Sequence, residues 1–394
     1  MLNAVPRHNV NLTTDELRLV IDGARGRLDH PDGRERFEAH ARRYFGAAHC
    51  SAVQSGRSAL FLALWGLDLP NNATVVLPNY CFFSLVKVVE GMGYTPRFAP
   101  IDPNTFALDP AQLGHHITDA DAVVVIHPFG QLAPMDELLA VCAQHGVPLV
   151  EDAAQATGAR KGPKKAGAMS DVGVFSLVSG KNLQTFGGGL VVTDREDVHR
   201  RIQKRLRNSL PTPDDQVRQL FQGGLQRWFL TTPMGFRFIM HPVTLALQTL
   251  APAKLESMFY EERARFDPKK TIDLLSDAQG ALGCLEITEL DRRNTLRRSN
   301  AMRLLDGLLG VNALQLPQLD DQAENSFNAV AVRTTDAQGL AHRLRRAGFD
   351  TRSDYMEWFG DRPDFTEDVI YLPNHPAMSA DDVDRLVQAV RAAT

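Results

Sequence analysis

At 394 residues, with 44% apolar and 23% charged side chains, the chain has the make-up of a large soluble globular protein, long enough for one big domain and a smaller one. A formal net charge of −4 excludes any global attraction to nucleic acid or to an anionic membrane. The four cysteines are scattered without a CxxC pair, which excludes a zinc knuckle or a disulfide framework. The N-terminus has no basic region leading into an apolar run, so a cytoplasmic location is expected.

In chain order, Thr13-Thr14-Asp15-Glu16 has the form of a capping box opening a helix over Leu17 to Ala24. Gly33 to Tyr44 reads as a second, amphipathic helix. Ser55-Gly56-Arg57-Ser58 is a small-residue turn running directly into the apolar helix that begins Ala59-Leu60-Phe61. Unpaired amides and the positive end of the dipole at such a start can hold a phosphate, although any capped buried helix reads the same way. Thr74 to Pro78 predicts a short buried strand. It ends in the aromatic cluster Asn79-Tyr80-Cys81-Phe82-Phe83, and a helix runs from Leu85 towards Met92. Further strands are expected at Pro96 to Ile101, Ala122 to His127 and Pro148 to Glu151, the last leading into Asp152. A helix from Met135 to Gly146 separates the final two. Strands and helices alternate here without tight hairpins, which predicts right-handed βαβ crossovers and an α/β fold with a mostly parallel central sheet. Ligands bind beyond the carboxyl ends of such strands, where Phe82, His127, Asp152 and Ser176 fall.

Two clusters in this half carry no clear chemistry. His115-His116 are adjacent residues of a helix, which point apart, and no third ligand is spaced nearby; no metal site is expected. Arg200, Arg201, Lys204, Arg205 and Arg207 have the spacing of a solvated helix face, with a phosphorylated ligand as the alternative.

Residues 208–268 interrupt the α/β pattern. The stretch Trp228 to Leu247 is strongly apolar, but two prolines, Arg237 and His241 argue against a membrane span. An insertion packed over the active site or against a second subunit is expected, with a membrane-surface element as the lesser reading. Leu275 to Leu308 predicts a long helix rich in i, i+4 charge pairs. It bridges to a small C-terminal α+β domain with a strand at Ala329 to Val332, a helix from Ala337 to Ala347 and a closing helix from Val383 to Ala393. The expected organisation is residues 1–207 as N-terminal helices and large domain, 208–268 as the insertion, and 269–394 as the bridging helix and small domain.

The chemistry centres on Phe175-Ser176-Leu177-Val178-Ser179-Gly180-Lys181-Asn182-Leu183, entered by a β-rich run from Val172 and left by another from Leu190. Lys181 stands among apolar and small residues instead of on a charged face. Partial desolvation would favour the free amine that condenses with a carbonyl, and a plain lysine at a hairpin tip is the alternative. A flat, phosphorylated aldehyde cofactor needs such an amine, a carboxylate opposite its ring nitrogen, a stacking face and a phosphate cradle. Lys181 offers the amine and Asp152 the carboxylate. Phe82 offers the face, with Tyr80 second, and Gly56, Arg57, Ser58 and Ser176 offer the cradle.

These motifs, with Glu151-Asp152-Ala153-Ala154-Gln155-Ala156-Thr157-Gly158 and Leu372-Pro373-Asn374-His375-Pro376, make the chain resemble the DegT/StrS family of sugar aminotransferases. These are fold-type-I enzymes that use pyridoxal 5′-phosphate (PLP), and the likeness runs over residues 30–207 and from 274 to the C-terminus. The resemblance implies Lys181 as Schiff-base lysine and proton shuttle, Asp152 opposite the pyridine nitrogen, and Gln155 beside the phenolic oxygen. It further implies Phe82 stacked on the ring, with Gly56, Arg57 and Ser176 at the phosphate. The implied reaction moves an amino group from an amino acid, glutamate by custom, to a keto-sugar nucleotide or related ketone, in a homodimer with its site at the interface.

The chain also departs from the family pattern. Arg57 replaces the usual Thr of the phosphate turn. Asp273-Leu274-Leu275-Ser276-Asp277 stands where an Asn-rich segment reaches the partner's cofactor, and Ser353 to Trp358 stands in place of the usual His-Tyr segment. These differences, with the apolar insertion, leave a second expectation open: a carrier-bound or amphipathic carbonyl substrate. A non-catalytic PLP-binding regulator is a third reading, opposed by the joint presence of Lys181, Asp152 and Gln155.

Overall fold

The computed structural model describes residues 4–251, 272–353, 355–360 and 368–394. Short apolar runs, each too short to bury itself, assemble into a seven-stranded sheet: β1 (His49–Val53), β2 (Thr74–Pro78), β3 (Thr95–Ala99), β4 (Ala122–Ile126), β5 (Leu149–Asp152), β6 (Val172–Ser176) and β7 (Gly189–Thr193). The order across the sheet is β1-β7-β6-β5-β4-β2-β3, and every pair is parallel except the two made by β7. All five residues of β4 are buried, as expected of a central parallel strand covered on both faces. One face packs against the helices Gly56–Gly66, Phe83–Gly91 and Glu196–Leu206 around Leu62, Val88 and Ile202. The other packs around Leu113, Leu138 and Cys142, from the helices Pro110–His116 and Met135–His145.

The register sets the site. Ile126 pairs with Asp152, Asp152 with Val174, and Ser176 with Gly189, so the ends of β4, β5 and β6 form one edge.

The helix Asp277–Leu308 runs for 32 residues. Its first half lies against the helix Gly33–Phe45, so close that a methyl on Gly280 would stand 2.5 Å from the backbone of Gly33 and Arg34. Its second half joins a small unit in which Val330–Thr334 pairs antiparallel with Asp368–Leu372 beneath the helices Ala337–Arg346 and Ala380–Ala393.

Element ends differ from the sequence reading by one to three residues; the strand expected at Pro96 to Ile101 occupies Thr95–Ala99, for instance. The apolar stretch after residue 208 is helical: Asp214–Thr231, a short turn at Pro233–Gly235, one π-turn at Phe236–Met240, and His241–Leu250. The first of these packs on the helix Thr14–Ala24, and His241 Nε2 bonds the Arg345 carbonyl of the small unit at 2.9 Å. The rest of the expected insertion lies outside the described residues, as does Asp354 of the Ser353 to Trp358 segment. No helix among the described residues is long and apolar enough to cross a membrane. His116 Nδ1 bonds the Gln112 carbonyl of its own helix, and no group of His, Cys, Asp and Glu suited to a metal ion occurs among the described residues.

Candidate active site

A cavity of about 710 Å³ opens at the carboxyl edge of the sheet. Ile126 and Asp152, from the ends of β4 and β5, form part of its wall with Ser176 from β6. Gly56 and Arg57 join from the helix start, Phe82 and Gln155 from loops, and Lys181 from the β6–β7 connection. Of the residues singled out in the sequence at this edge, three stand off the lining: His127, buried against Glu151, and Ser58 and Tyr80. Ser58 is buried behind the turn, its amide donating to Ser55 Oγ at 3.1 Å. Tyr80 is buried with its hydroxyl against that of Tyr371.

Each lining group is held by its neighbours. Ser55 caps the helix through the Ser58 amide, so the amides of Gly56 and Arg57 at the first turn are not taken up by the cap. Gly56 lies tight against β6: a methyl there would come within 2.8 Å of Ser176 Cβ. Asp152 accepts the Ala154 amide on Oδ1 at 2.9 Å. Burial raises the Asp152 carboxyl above the usual carboxylate range, opposed by the Ala154 amide and the Lys181 charge. Glu151, next along β5, points the opposite way, as alternation requires, and accepts the Gly167 and Met169 amides as well as His127 Nε2–H. His127 Nδ1 accepts the Ala133 amide, which fixes the ring as neutral and donating through Nε2. Gln155 accepts the Phe129 amide on Oε1, and among the described residues its NH₂ meets only the Met356 sulfur, at 3.8 Å.

The β6–β7 connection is fixed from behind. Asn328 Nδ2 donates to the Gly180 carbonyl and to Asn182 Oδ1. Asn182 donates in turn to Asn294 Oδ1 and the Ser326 carbonyl, and Gln279 donates to the carbonyls of Thr185 and Gly187. Lys181 therefore rises from a braced loop, its Nζ donating to the Tyr355 hydroxyl at 3.2 Å. The Tyr355 ring lies 5.6 Å from that of Phe82, so an aromatic corner stands beside the amine.

Asn328 and His8 carry no signal in the sequence, because the fold brings them from the small unit and the far N-terminus; Tyr355 lies in the Ser353 to Trp358 segment already marked by its departure from the family pattern.

Residues 13–266 match the DegT/DnrJ/EryC1/StrS aminotransferase family. The L-glutamine:2-deoxy-scyllo-inosose aminotransferase of Streptoalloteichus tenebrarius is 31% identical over 307 residues, which span 76% of this chain and 63% of that protein. The dTDP-3-amino-3,4,6-trideoxy-alpha-D-glucose transaminase of Streptomyces venezuelae is 29% identical over 415 residues, spanning 98% of this chain and 95% of the relative. The crystal structure of S. venezuelae DesV superposes with a TM-score of 0.77 at 26% identity, covering 99% of this chain and 98% of that one. That of 3-amino-5-hydroxybenzoic acid synthase superposes at 0.75 over 100% and 99% of the two chains; at 20% identity it is a likeness of fold. The chain belongs to the DegT/DnrJ/EryC1/StrS family of PLP-dependent aminotransferases and has their fold-type-I architecture.

Proposed function

We propose that this aminotransferase holds PLP in the cavity around Lys181 and passes the amino group of an amino acid, glutamine or glutamate, to the carbonyl of a keto-sugar or keto-cyclitol. The observation that carries the reading is the meeting, in one cavity, of Lys181, Asp152, Gln155, Phe82, Ser176 and the Gly56-Arg57 turn. The residues fit the cofactor. Asp152 is a half-buried carboxylate with Oδ2 left over for a protonated ring nitrogen, and that cation would hold it ionised. The close fit of Gly56 on Ser176 brings helix-start amides and a hydroxyl together as a phosphate cradle. Bound PLP supplies an electron sink for the bonds of the substrate α-carbon.

The protein's own groups do the rest. Lys181 holds and moves the proton at Nζ, next to the Tyr355 hydroxyl that steadies it. Gln155, with Oε1 occupied by the Phe129 amide, has its NH₂ to offer a ligand in the cavity it lines. Phe82 presents an aromatic face, and the braced loop keeps the lysine from swinging away. A homodimer with the cavity near its interface, in a cytoplasmic setting, is part of the same reading. The four buried free cysteines suit a reducing compartment.

A second acceptor class, a carrier-bound or amphipathic carbonyl, is favoured by one observation: Leu230, Phe236 and Met240 of the apolar helices line the same cavity. The test for both is an absorbance titration of PLP-loaded protein, first with L-glutamine and L-glutamate, then with candidate ketones. Conversion to the pyridoxamine form with a donor, and its reversal by a keto-cyclitol or keto-sugar, is expected. A spectrum that no donor changes contradicts the transaminase reading. Reversal by long-chain carbonyls alone selects the second class.

A further inference from the structure

The N-terminal segment runs along the cavity as a strap, Pro6, Arg7, His8 and Val10 lining it. The Val5 amide donates to the Gly348 carbonyl at 2.8 Å and the Val5 carbonyl accepts the Asp350 amide at 3.0 Å, pairing the segment with the small unit. Four residues on, Asn9 Nδ2 donates to the Thr231 carbonyl at 2.7 Å and the Val10 amide to Thr231 Oγ1 at 3.2 Å, tying it to the apolar helices. His8, between these anchors, lines the cavity, and a Cβ on Gly180 would stand 3.5 Å from its ring, one residue from the reacting amine. Among the described residues neither ring nitrogen of His8 has a hydrogen-bond partner.

Resting on the aminotransferase reading, we propose that His8 is an acceptor-binding residue, its imidazole hydrogen-bonding a hydroxyl on the ketone that receives the amine. Burial, with Arg7, His375, Lys181 and Arg297 around it, holds the His8 imidazole well below its usual pKa and so neutral. A neutral ring has one N–H and one lone pair. Its complement is a group that both accepts and donates, which a hydroxyl does and a carboxylate or phosphate does not. Those anions are better served by a guanidinium such as that of Arg352, which lines the same cavity. The acceptor class selected is thus a ketone with hydroxyls on neighbouring carbons.

The test is steady-state kinetics of the PLP-loaded enzyme with L-glutamine as donor and 2-deoxy-scyllo-inosose or a dTDP-linked keto-deoxyhexose as acceptor. His8→Ala should raise the acceptor KM about tenfold, the effect of one lost hydrogen bond in a buried site, while the donor KM moves less than about twofold. His8→Gln, which keeps a donor and an acceptor, should recover most of the loss. Melting curves of both variants separate this from collapse of the strap, which would raise both KM values together and contradict the proposal. An unchanged acceptor KM also overturns it, as does a wild-type enzyme that reacts with the donor but with neither hydroxylated ketone. A wild-type enzyme that fails to react with any donor overturns the underlying transaminase reading instead.

Discussion

Arg57 stands where the family resemblance leads one to expect a Thr, and its guanidinium has no hydrogen bond or ion pair among the described residues. It lines the cavity beside Gly56 and Ser176, so a cation stands free at the point where the cofactor's phosphate is proposed to lie. Charge-assisted bonds to phosphate are stronger than neutral ones, and a partly exposed pair is weakened by salt. Arg57→Ala is expected to loosen PLP about tenfold in an equilibrium titration, with the difference shrinking at high salt. Affinity equal to the wild type at low salt would show that the backbone amides and Ser176 suffice. Residues of this kind were legible because they sit in contiguous motifs: Ser55 to Leu60, Glu151 to Gly158, Phe175 to Leu183. Ser58 shows the limit, since spacing placed it at the turn but not on which side; its side chain meets Ser55 Oγ at 2.9 Å behind the lining. Tyr80 shows the same ambiguity within an aromatic cluster, where Phe82 faces the cavity and Tyr80 the core.

At the scale of elements, the long helix is held by charge as well as by close packing. Arg293 bridges Glu16 of the helix Thr14–Ala24, whose capping-box role keeps that carboxylate in place, and Glu286 at 2.9 Å, about two turns back. One guanidinium thus serves two buried carboxylates. Burial first, and the neighbouring Glu16 charge with it, pushes Glu286 up to about 8 in spite of Arg293. A carboxyl whose folded pKa lies above its unfolded value of 4.5 binds more protons folded than unfolded between the two, so its contribution to stability declines as pH rises through that window. Urea midpoints should fall between pH 4.5 and about 8, and Glu286→Gln should flatten that slope. An unchanged slope in the variant would assign the dependence to other groups. The helix itself was plain from its charge pairing, but no periodicity announced that Glu286 and Arg293 would be buried, since such residues in a solvated helix look identical.

For the whole molecule, alternation of apolar strands with helices was enough to predict a mostly parallel α/β sheet with ligands beyond its carboxyl edge. The one antiparallel strand, β7, follows from a β6–β7 connection that forms no crossover helix and carries Lys181. What the pattern could not reveal is the third dimension of the cavity. Tyr355 and Asn328 arrive from the small unit, His8 from the strap, and Leu230 and Met240 from the apolar helices. Each depends on long-range packing, and together they complete the cavity lining.

The account rests on the amine at position 181 being the one that captures the cofactor aldehyde, with the carboxylate at 152 across the ring. The most direct measurement is borohydride reduction of PLP-loaded protein, followed by peptide mass mapping. The account predicts a pyridoxyl adduct on the peptide containing Lys181, and none there in Lys181→Ala. An adduct on another lysine, or none in protein that retains PLP absorbance, would contradict it.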